Sequence, residues 1–219
     1  MSNSMYTNLF YTDAAAFLFT AVAIAWQKSD RGLIRLLRLA GVSLATLPFL
    51  NGLKASDLEM ILVSLAVLVI HAVVAPTLIA RVSVQVRSER QSERTVNSTS
   101  VLLLSGISVM LAYLIADKLT VIADGSIARA LPISFGVIFI SVILLITRRQ
   151  MASTLIAFLL FDDGISAVTY TLTGGVPSVI ELGVLLDVVS LILVMVLLAI
   201  KIRPNLSIME IDELKELHE

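Results

Sequence analysis

The chain contains no cysteine among its 219 residues. That excludes disulfides, thiolate metal sites and iron–sulfur clusters, and it removes redox chemistry as a guide to compartment. Charge is scarce as well, at 15% of residues against about 25% in soluble proteins. Neither sign dominates: the net charge is -1 and the pI ≈ 6.1. The concentrated basic surface that nucleic-acid binding requires is therefore missing. What fills the chain instead is apolar, with 58% hydrophobic residues and a mean hydropathy of +0.95, the composition of a membrane protein. Apolar runs of about 20 residues, the length that crosses a hydrocarbon core of ~30 Å, recur along the sequence. The first has no basic stretch before it and no A-x-A site after it, so it reads as a span and not as a signal peptide.

Charged residues and Gly, Pro or Asn punctuate these runs into about seven predicted helices, near 5–27, 33–53, 58–80, 100–123, 131–147, 152–173 and 178–200. The basic residues of the connections alternate in number. Lys54, Lys118 and Arg129 fall in one set of loops, and the other 13 of the 16 Lys and Arg residues fall in the opposite set. Because Lys and Arg are retained on the cytoplasmic side, the expectation is an all-α, multi-pass bundle with the N-terminus outside and the C-terminus inside. Residues 1–80 form an N-terminal three-helix part and 81–100 a polar, mixed-charge cytoplasmic linker. Residues 101–204 form a four-helix part. In 205–219, Ile208, Ile211, Leu214 and Leu217 recur at helical spacing opposite acidic residues, as in an amphipathic cytoplasmic tail.

Ionisable groups inside the spans are the candidate functional residues, because a carboxylate at a helix centre costs about 2.5–3.5 kcal/mol on insertion scales. Asp162 and Asp163 interrupt the run FLLFDDGISAV. At ~1.5 Å per residue, Asp162 lies ~20 Å beyond the Arg148–Arg149 pair, Asp187 lies ~21 Å before Lys201, and His71 lies ~15 Å before Arg81. Three titratable groups on three helices thus share one slab of the membrane. Burial raises the pKa of an aspartate and a cation lowers it, while histidine titrates near neutrality, so together they suit a proton relay. Asp163 is turned 100° from Asp162 and is expected to bond a backbone carbonyl or to serve a second path. Pro76 frees a carbonyl close to His71 and is expected to kink that helix. Glu181, after TGGVPS, stands where a helix N-terminus favours an acid. Asp13, Asp57, Asp117 and Lys118 fall near predicted outer ends and read as interfacial.

The stretch RRQMASTLIAFLLFDDGISAV, followed by GGVPSVIELGVLLDVVSLILVMVLLAIKIRPNLSIMEIDEL, resembles the component E membrane subunit of hydrogenase-4 and formate hydrogenlyase-type complexes. Residues 131–204 are more distantly similar to the three-helix K subunit of respiratory complex I. The resemblance implies a subunit of a prokaryotic cytoplasmic-membrane complex, with no catalytic residues and no cofactor or metal of its own. Its implied neighbours are antiporter-like membrane subunits, a membrane anchor subunit and a peripheral redox arm, often a nickel–iron hydrogenase. Asp187 falls where component E keeps an aspartate and the K subunit a glutamate of the proton path. Asp162 falls where component E has a glutamate, Asp163 where both relatives tend to have asparagine, and His71 where component E has a lysine. The K-subunit glutamate of the equivalent helix corresponds to Leu159, which is apolar here.

Other classes share some of these features. A secondary transporter would also carry midplane ionisable groups, though it would be expected to break more than one helix centre. An assembly protein would need no relay. An intramembrane aspartyl protease would pair two aspartates, but GVLL before Asp187 lacks that family's glycine-x-glycine-aspartate signature.

Overall fold

A computed structural model of the chain describes residues 3–85, 98–120, 130–148, 150–173 and 183. All regular structure among them is helical: α1 (Asn3–Trp26), α2 (Asp30–Ala55), α3 (Leu58–Val67), a π-helical segment (Leu68–Val74), α4 (Ala75–Gln85), α5 (Ser98–Thr120), α6 (Leu131–Thr147) and α7 (Met151–Thr173). Among the described residues, five helices are long and apolar enough to cross a membrane, counting the run from Leu58 to Arg81 as one, and α6 is a shorter apolar helix. The segments 178–200 and 205–219 lie outside the described residues.

The packing follows from residue spacing. Along α1, Tyr6, Phe10, Ala14, Phe17, Ala21 and Ile24 are buried at intervals of three and four, and along α2 so are Leu33, Leu37, Ala40, Leu44 and Leu47. Each set forms one stripe of a helix. Alanines within the stripes let the two backbones come close, which is how helices associate in lipid, where apolar surface alone provides no drive. The α2–α3 corner is tight: Ser56 adopts a left-handed conformation (φ 56°), and Asp57 caps α3 by accepting the Glu59 N–H at 3.0 Å.

Helix α2 is the hub, touching α1, α3, the π segment, α4 and α7, while α6 bridges α1, α5 and α7. More than half of α2 and of α7 is covered by protein, but only 28% of the spanning part of α5 is. The buried aspartates Asp162 and Asp163 accordingly sit on α7, while the buried polar residues described on α5 are the serines Ser105 and Ser108. At the opposite end from the α2–α3 corner, Arg148 ties α6 to α1. Its Nη2 donates to the carbonyls of Ile24, Ala25 and Gln27 at 2.9, 3.2 and 3.1 Å. These are carbonyls at the C-terminal end of α1, which has no continuing helix to satisfy them.

The helix that carries His71 runs on to Gln85, past the expected end at 80, because RVSVQ contains neither glycine nor proline. In place of a simple kink, a widened turn precedes Pro76: the Ala75 N–H bonds five residues back to the Ile70 carbonyl. Proline supplies no N–H to this turn. The Thr77 hydroxyl instead donates to the carbonyls of Val73 and Val74 at 2.7 and 2.8 Å.

Candidate functional site

His71 sits in the middle of the π segment, 4% exposed. Such widened turns are rare and are found frequently at functional sites. A neighbour without a side chain accommodates the bulge. A Cβ added to Gly41 of α2 would lie 2.5 Å from the His71 carbonyl carbon, 2.6 Å from its oxygen and 2.8 Å from the Ala72 nitrogen. Only glycine lets the α2 backbone rest directly on this turn.

From α7, Asp163 reaches the same place. Its Oδ1 lies 2.5 Å from His71 Nδ1, an ion-pair geometry between residues 92 apart in sequence, and Asp163 is 1% exposed. The neighbouring Asp162 is also buried, at 5%. Of the two aspartates, the hydrogen-bond partner of the histidine is Asp163, the one that helical counting had turned toward another path. Behind the pair, a Cβ on Gly164 would meet Ile138 Cγ1 at 2.8 Å and Ile138 N at 3.2 Å, so α6 packs closely behind the acidic turn.

Sequence reasoning missed two features. Asp163, Ser166 and Tyr170 are all buried and recur at spacings of three and four, so they share one face of α7 and continue the polar stripe beyond the carboxylate. The DxxSxxxY spacing was the available signal. The second feature is Asp13, expected at a membrane interface. It lies ten residues, ~15 Å, into α1. Ser43 of α2 donates to both its carbonyl and its Oδ1 at 3.0 Å. Two turns nearer the start of α1, Tyr6 donates to Asn51 Oδ1 at 2.5 Å, and the Lys54 ammonium stands 4.2 Å from the Tyr6 ring centroid. Asp13 is thus a half-buried member of the α1–α2 seam. Its partner Ser43 is 30 residues away and gives no signal in the local sequence.

Asp187 and Glu181 lie outside the described residues. Among the described residues no group of three or more His, Cys, Asp or Glu side chains could hold a metal ion.

Compared with known proteins, the chain is 33% identical over 220 residues to the uncharacterized protein Rv0085 of Mycobacterium tuberculosis, with all of both chains covered. The chain belongs to the Rv0085 family. No protein-family model matches it, and no solved structure does.

Chemically, the His71–Asp163 pair is a proton donor and acceptor joined across two helices. An imidazole accepts a proton on one ring nitrogen and releases one from the other, and a carboxylate alternates between acceptor and donor. The arrangement can hold a proton or pass one laterally.

Proposed function

We propose that the chain is a non-catalytic, ion-conducting membrane subunit of an energy-converting redox complex of the hydrogenase-4 and complex I type. It crosses the cytoplasmic membrane of a prokaryote seven times, N-terminus outside and C-terminus inside. Antiporter-like subunits, a membrane anchor subunit and a peripheral redox arm, of the nickel–iron hydrogenase kind, surround it, and the redox cofactors reside in those partners. His71, Asp163, Asp162 and Asp187 pass protons or sodium ions laterally as the redox arm turns over, and Glu181 is assigned to the same path.

The observation that carries this reading is the buried His71–Asp163 hydrogen bond. A titratable pair inside an apolar bundle is costly to keep there, and a hydrogen bond between spanning helices contributes only ~0.6 kcal/mol on average. Stability alone is a weak reason for it.

Asp163→Asn retains hydrogen bonding to His71 but cannot take up a proton. In the intact complex this variant is expected to assemble and to reduce artificial acceptors at the normal rate while ion translocation into vesicles is lost. Asp187→Asn is expected to behave the same way. Full translocation by Asp163→Asn would remove the pair from the mechanism and leave it an interhelical clamp.

A further inference from the structure

A second site lies on the lipid-facing side of the same segment. Arg35 and Arg38 of α2 stand at one end of a groove of about 540 Å³ whose apolar walls include Leu39, Val42, Ala72 and Val73. Both arginines are exposed, three residues apart on one face of the helix, and among the described residues neither forms an ion pair.

Their depth is the unusual feature. Helix α2 has 26 residues and is ~39 Å long, so about 4–5 Å protrudes from each face of a ~30 Å hydrocarbon core. Arg38 is eight residues from its start, ~12 Å along the axis, which puts its backbone roughly 7–8 Å inside the hydrocarbon. A cation at that level on an open face must extend toward the headgroups and find an anion there. Beyond the arginines the groove continues along side chains that protein leaves uncovered: Leu39, Val42 and Val73 are 55%, 42% and 54% exposed.

A paired guanidinium end and an apolar trough match an anionic headgroup and its chain. Guanidinium binds phosphate through two parallel hydrogen bonds, and basic pockets between spanning helices take acidic lipid headgroups. We infer that this groove binds one anionic phospholipid, its phosphate on Arg35 and Arg38 and an acyl chain between Leu39, Val42 and Val73. Ala72 and Val73 directly follow His71, so the bound lipid packs against the outer wall of the π segment. This site stands whether or not His71 conducts protons.

Native mass spectrometry of the full-length protein, titrated with phosphatidylglycerol or phosphatidylcholine, tests it. Wild type is expected to retain one phosphatidylglycerol. Arg35→Gln/Arg38→Gln should bind it roughly 25-fold more weakly, at about a fivefold loss per arginine. Arg31→Gln, exposed on the same helix but outside the groove, should bind as wild type does. Val42→Trp, which fills the trough from an exposed position, should lose the lipid with both arginines intact, and it decides the matter if the double variant does not fold. Equal binding of phosphatidylcholine, unweakened binding by either groove variant, or retention of a quinone in place of phospholipid would overturn the assignment.

Discussion

Two carboxylates are held inside this bundle in different ways. On the α1–α2 seam, Asp13 meets a serine hydroxyl on a regular helix next to it in the chain. On α7, Asp163 meets an imidazole on a widened turn, from the far end of the sequence. A hydroxyl stays neutral whatever the carboxylate does, whereas an imidazole changes charge near neutral pH. The first arrangement fixes a helix pair; the second adds a group whose charge responds to its partner. Helix α2 serves both, since Gly41 faces the π segment and Ser43, two residues on and on the opposite side, faces Asp13.

Changing those two residues separates the roles. Gly41→Ala should have the larger effect, because the new Cβ would fall on His71 and Ala72 backbone that cannot rotate away. A loss of about 1–3 kcal/mol, in the range of overpacking, is expected as a lowered unfolding midpoint in detergent, together with impaired translocation. An unchanged midpoint would mean that the π segment relaxes freely and that glycine is not needed there. Ser43→Ala should cost only ~0.6 kcal/mol, the average for a hydrogen bond between spanning helices, and should leave translocation intact. The smallest effect is expected for Asp13→Asn, whose amide oxygen still accepts from Ser43. Translocation by this variant should match wild type where Asp163→Asn abolishes it, and a loss equal to that of Asp163→Asn would make the seam part of the path.

Much of the helix pattern was legible from apolar runs and charge punctuation. The expected span 131–147 coincides with α6, and 152–173 differs from α7 by one residue. His71 was legible as a titratable group in an apolar run. Its partner was not, because counting 100° per residue separates Asp162 from Asp163 on α7 without saying which of the two faces the helix of His71, and that is settled only by packing. Asp13 escaped for a different reason. A single acid near the chain start has no periodicity to reveal its burial, and Ser43 becomes its neighbour only once α1 and α2 pack.

The clasp of Arg148 on the end of α1 also sets an order of events in biogenesis. The carbonyls it satisfies precede it by 121–124 residues. At synthesis rates of about 5–20 residues per second, the last turn of α1 waits roughly 6–24 s for its cap. During that interval α1 can already pack on α2 through Asp13–Ser43 and Tyr6–Asn51, and the cap on its last turn is added when α6 emerges.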